Sequence, residues 1–149
     1  MNGNYAFVIM IRDKWWGEFC SLSREGRKEF SYIRRGAAGP KNASFLFFYV
    51  TKPVGELAGY AEFIERKVGD AESLWSEHGN ESVLKSKEEY QELIGGKQKV
   101  SFIRFKNLKV AAKPVQLSDL FTFLDVKKPV RGGFYIKKET ADKLIALMA

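Results

Sequence analysis

Ser23-Arg24-Glu25-Gly26-Arg27-Lys28-Glu29-Phe30-Ser31-Tyr32-Ile33-Arg34-Arg35-Gly36 is the stretch on which the reading of this chain turns. It gathers five Arg and Lys residues into a turn around Gly26 and the strand-like run behind it. On a strand over Glu29–Arg34, side chains alternate between faces, so Ser31, Ile33 and Arg35 share one face while Phe30, Tyr32 and Arg34 share the other. Arg34 and Arg35 therefore point oppositely, and only one of them can line a groove with Lys28. An arginine there suits bidentate contact to phosphate, with the lysine as a mobile point charge. The competing reading is a solvated turn with a structural ion pair, Arg34 with Glu62 of a neighbouring strand.

Just upstream lies Trp15-Trp16, within a short helix predicted over Lys14–Leu22. Neighbours on a helix diverge, so one indole belongs to the core and the other is free to stack on a base or to pack at the rim. Positive groups beside flat rings suit a ligand with phosphates and stackable bases.

The remaining periodicity places this hairpin in an α+β fold. Tyr5–Ile11 reads as a buried strand, and Ser44–Thr51 is apolar on both faces, as a central strand is. In Leu57–Val68, Ala61 and Phe63 oppose Glu62 and Glu65. Asp70 caps a helix over Asp70–His78 that stops at Gly79, and Ser86 with Glu89 forms a capping box that starts a helix running to Ile94 before Gly95-Gly96. Lys99–Val110 is the longest strand candidate. A helical turn over Ser118–Leu124, a strand at Phe134–Ile136 and an amphipathic helix over Lys138–Met148 complete the chain. Five or six strands with irregularly inserted helices argue for a mixed, partly open β-barrel with short peripheral helices, as one domain over residues 1–149.

Charge is segregated along the chain. Residues 56–94 carry ten acids against four bases, whereas 97–113 and 127–138 carry six and five bases with no acid. Such segregation lets one face attract a polyanion. In the strand near 104, Arg104, Lys106 and Lys109 either widen that field or protect a sheet edge. One cysteine excludes an intrachain disulfide, and no apolar run reaches bilayer length. Together with the absence of a signal-peptide pattern, this predicts a cytoplasmic protein without membrane contact, as a monomer or weak dimer. One histidine and one cysteine do not make a zinc site or a Ser–His–Asp set, so no metal or cofactor is expected. His78, at a helix end, is expected to face terminal carbonyls.

Gly26-Arg27-Lys28-Glu29-Phe30-Ser31-Tyr32-Ile33-Arg34 resembles the signature GxKxxExR of ASCH domains, in the PUA-like superfamily that also holds EVE and YTH domains. Gly26 and Lys28 match; Ser31 and Ile33 stand where the signature has Glu and Arg, with Glu29 and Arg34 at shifted places. The order from Phe48-Tyr49-Val50 through Gly59–Phe63 to Asp70–Trp75 resembles EVE domains, and Arg131-Gly132-Gly133-Phe134-Tyr135-Ile136 with its helix resembles the closing element of the group. The likeness is identified with an archaeal branch of the superfamily.

That resemblance implies RNA or modified-nucleotide binding. Lys28 and Arg34 would hold phosphate, with Arg27, Arg35 and Lys52 adding to the field and Glu29 beside them. Trp15 or Trp16 with Tyr49, or Trp75, would stack or cage a base. The resemblance also implies an alternative, an ASCH-type amidohydrolase or ribonuclease in which Lys28 activates Ser31 with Glu62 or Glu65 as acid–base partner. A third reading has the acidic segment 56–94 meeting a basic protein.

Overall fold

Residues 5–36, 39–116, 118–119 and 133–149 are described by a computed structural model. Ala6–Ile11 (β1) is buried along its whole length, and Phe45–Val50 (β3) runs parallel beside it, Ala6 opposite Phe45 and Ile11 opposite Val50. Parallel neighbours require a crossover. Here it consists of helix Asp13–Arg24 (α1) and strand Glu29–Arg35 (β2). Glu56–Asp70 (β4) returns antiparallel to β3 and leads into Ala71–His78 (α2), a 3-10 turn at Gly79–Glu81 and Lys87–Ile94 (α3). Lys99–Gln116 (β5) inserts between β2 and β4; Phe134–Ile136 (β6) joins β1, and Lys138–Met148 (α4) ends the chain.

The six strands form one mixed sheet in the order β2-β5-β4-β3-β1-β6. The α+β expectation holds, and the barrel stays open: β2 and β6 are edges that do not pair with each other. β3 is covered on both faces, which explains its unbroken apolar run. On one face α1 packs Trp16 and Phe19 against Ile9, Phe30, Phe48 and Phe105. On the other, α4 covers Val8, Phe47 and Tyr49 with Ala141, Leu144 and Met148. Near the β2 edge, α2 and α3 cover Ile33 and Phe102 with Leu74 and Tyr90.

Both predicted caps form. The Asp70 carboxylate accepts from the Ser73 amide at 3.0 Å, and the Ser86 hydroxyl from the Glu89 amide at 3.2 Å. The Glu89 carboxylate reaches the Lys85 amide, one residue before the cap. Edge protection by β5 needs correcting for Arg104 and Lys106, because β2 pairs with this part of the strand. Lys109 lies past the last β2 pair, so there one side of β5 has no strand neighbour among the described residues. The turn expected at 118–124 and the Arg131-Gly132 pair fall largely outside the described residues. No described helix is long and apolar enough to cross a membrane.

Candidate nucleic-acid cleft

The Tyr32 hydroxyl donates to the Met10 carbonyl at 3.4 Å, so the sheet curls until its β2 edge faces the end of β1. A cleft of about 490 Å³ opens at this unclosed seam. Arg12, Trp15 and Phe19 line it from the α1 side, Ser31–Arg35 from β2, and Ser82–Leu84 with Leu93 form the far wall. Three arginines thus line one concavity, and no carboxylate stands among its described lining residues. β2 contributes from both its faces because, as an edge strand, it lets the cleft wrap around it.

Arg34 lies over the Tyr32 ring at 5.6 Å. Arg35 donates from Nε to the Leu93 carbonyl at 2.7 Å, capping the end of α3. The chain turns there through Gly95 in the left-handed region, φ 59°, where a Cβ would stand 3.4 Å from the Arg35 guanidinium. Burial pushes the Tyr32 hydroxyl pKa up, against the opposing pull of Arg34 and Arg12, so the group is a proton donor at neutral pH. Trp15 is half-buried, with the Lys14 ammonium 4.9 Å from its ring centre. That ammonium is on an exposed, flexible stem.

An ionic network anchors the far wall. Ser31, with no exposed surface, donates to Glu81 Oε1 at 2.8 Å. Arg104 donates to the same carboxylate from Nε at 2.9 Å and Nη2 at 3.1 Å, to Glu65 from Nη1 at 2.5 Å, and to Glu29 at 3.3 Å. Burial pushes the Glu81 carboxyl pKa up, but the hydrogen bonds from Arg104 and Ser31 outweigh it and hold the group below its ordinary value. Glu81, and after it Glu65, raise the Arg104 pKa against the effect of burial. Arg27 donates to the Ser82 carbonyl at 2.9 Å, tying the basic turn to the wall.

The structure brings Trp15, Arg34 and Arg35 together and disperses the other sequence candidates. Trp16 is buried and packs on Phe48 with ring centres 5.1 Å apart, so it is a core residue with no face for a base. Tyr49 lies buried on the opposite side of the sheet, under α4, because alternation along β3 turns it away from Phe48. Trp75 stacks on Tyr90 and covers the backbone of Gly79. Lys28 is exposed and does not line the cleft, while Lys52 sits in the turn after β3. Of the Lys28–Ser31 pair of the hydrolase alternative, Lys28 is exposed, whereas Ser31 is buried and donates to Glu81. Its acid–base candidates are also engaged elsewhere: Glu62 accepts from Asn107 and Glu65 from Arg104. Glu29 likewise serves Arg104. The Arg34–Glu62 pair cannot form because β5 lies between their strands, and Arg104 takes the structural role instead. His78 meets Lys67 at 3.2 Å through Nε2, and its Nδ1 lies 3.3 Å from Glu81, rather than facing helix-end carbonyls. No group of His, Cys, Asp and Glu suited to a metal ion occurs among the described residues.

Arg12 and Tyr32 were missed as cleft residues. Tyr32 was readable as sharing a face with Arg34, but Arg12 reaches the site only through the curl of the sheet.

No family model matches the sequence. A Zymomonas mobilis protein described as an ASCH domain-containing ribonuclease is 26% identical over 132 residues, spanning 89% of this chain and 87% of that protein. The crystal structure of ASCH from Zymomonas mobilis superposes with a TM-score of 0.79 at 24% identity, covering 97% of this chain and 96% of that one. A mutant form of ASCH from that bacterium gives a TM-score of 0.81 at 23% identity, with both chains fully covered. These relatives are bacterial, and nothing in them points to an archaeal branch. The six-stranded open sheet with its helices is the fold of ASCH domains.

Proposed function

We propose that this chain is an ASCH-type, PUA-like domain over residues 1–149 that binds single-stranded RNA in the seam cleft. The observation that carries this is the convergence of Arg12, Arg34 and Arg35 with Trp15 and Tyr32 around one cavity whose described lining holds no carboxylate. The guanidinium groups hold phosphate oxygens, and Trp15 offers a ring for an unstacked base, the way single strands are commonly read. Lys28 and Lys52, outside the cleft, add to the attracting field, and a cytosolic location suits the buried free thiol of Cys20. The test is titration of a labelled single-stranded RNA at several salt concentrations. Affinity falls as salt rises, and Arg34→Ala with Arg35→Ala weakens binding and flattens the salt dependence. Binding unchanged by that pair of substitutions overturns the reading.

A second reading, RNA cleavage, is favoured by the similarity to a protein described as a ribonuclease. The cleft arginines support it, as groups able to stabilise charge on phosphorus. Release of RNA fragments that stops in Arg34→Ala, with the fold intact, supports this reading; intact RNA after incubation with the folded, unsubstituted chain counts against it.

A further inference from the structure

We propose that the cleft takes the end of an RNA strand, and that its preferred ligand is a terminal phosphomonoester together with the nucleotide that carries it. This rests on the RNA reading above and narrows it.

Charge supplies the first argument. Arg12, Arg34 and Arg35 bring three positive charges to the cavity, and no carboxylate among the described lining residues offsets them. An internal phosphodiester brings one negative charge, whereas a phosphomonoester brings about −1.5 to −2 at neutral pH with three strong acceptor oxygens. Arginines opposite such a group form charge-assisted, bidentate hydrogen bonds. Glu81, Glu65 and Glu29 are all held on Arg104, and none of them is among the described lining residues.

Size and donor placement supply the second. The cavity, about 490 Å³, falls in the range that encloses one small ligand, so it suits one nucleotide better than a run of them. Its wall is tethered: Glu81 by Ser31 and Arg104, Ser82 by Arg27. The Tyr32 side chain lines the same cavity, and the only described acceptor of its hydroxyl, the Met10 carbonyl, is a long 3.4 Å away. A phosphate oxygen at that place gives the hydroxyl a better acceptor than it now has.

The experiment measures affinity of the full chain for three trinucleotides of one sequence, carrying a 5′-phosphate, a 3′-phosphate or hydroxyls at both ends. Each is also measured against Arg12→Gln and Arg34→Gln chains whose folding is checked by circular dichroism. One of the phosphorylated forms is expected to bind about tenfold tighter than the hydroxyl form, and which one it is identifies the end that enters. Either arginine substitution removes that advantage. Equal affinity of all three trinucleotides, with binding still lost in Arg34→Gln, overturns the terminal-phosphate inference and leaves the RNA cleft standing. Binding of every trinucleotide unaffected by both substitutions overturns the cleft itself and this inference with it.

Discussion

The Tyr32 hydroxyl lies 3.4 Å from the Met10 carbonyl although three strands, β5, β4 and β3, separate their own strands in the sheet. Contact over that separation requires the sheet to curl almost onto itself, and the cleft is the gap left where it does not close. A hydrogen bond of this length adds little to stability. Tyr32→Phe is therefore expected to change unfolding free energy by less than about 1 kcal/mol in urea titration. RNA affinity falls measurably in the same variant, because the lost hydroxyl faces the ligand.

Arg104 is the pivot of the far wall. Its side chain is 13% exposed and meets three carboxylates. Arg104→Ala leaves the half-buried Glu81 charge without its partner and is expected to cost about 3 kcal/mol, measured by denaturant unfolding at neutral pH. A loss below about 1 kcal/mol contradicts the role assigned to it.

The Glu81 carboxyl also sets a pH dependence. Its folded pKa lies below its ordinary value of 4.5, so the folded state holds the ionised form more tightly than the unfolded chain does. The stabilisation is present above that ordinary value and disappears as pH falls from it through the folded value. Thermal melts across the acid range are expected to show a steeper loss of stability in the wild type than in Glu81→Gln. Parallel acid profiles contradict this.

Trp15 and Trp16 separate fold from binding. Trp16 is 7% exposed, and its indole lies so close to Gly59 that a Cβ there would stand 2.8 Å from the ring. Trp16→Ala is expected to cost about 3–5 kcal/mol in stability. Gly59→Ala, which drives a methyl group into the indole and the Lys109 carbonyl, costs about 1–3 kcal/mol. Trp15→Ala, which trims a half-buried ring at the border of the α1-side core, costs less stability than Trp16→Ala and weakens RNA binding by about 1–3 kcal/mol, read from binding isotherms beside urea curves for all three variants.

Much of this architecture was legible in the sequence because it is written in local signals. The Asp70 and Ser86 caps, the stop at Gly95 and the unbroken apolar run of β3 each depend on residues close along the chain. Within the site, alternation correctly placed Arg34 and Tyr32 on one face of β2. It could not tell which indole was buried, since helix phase depends on what α1 packs against. Long-range relations were not legible. Arg104 sits 23 positions from Glu81 and 75 from Glu29 in the chain, so its charge looked available for a ligand when it is spent inside the protein. Tyr49 was named for a base by resemblance alone, within a strand read as covered on both faces, and α4 covers it from the other end of the chain.

The most direct test of the central claim is tryptophan fluorescence during titration with single-stranded RNA. Entry of a base into the seam cleft predicts quenching that tracks binding, disappears in Trp15→Phe, and is lost together with affinity in Arg12→Ala with Arg34→Ala. RNA that binds the doubly substituted chain as tightly as the wild type, or binds without perturbing Trp15, contradicts it.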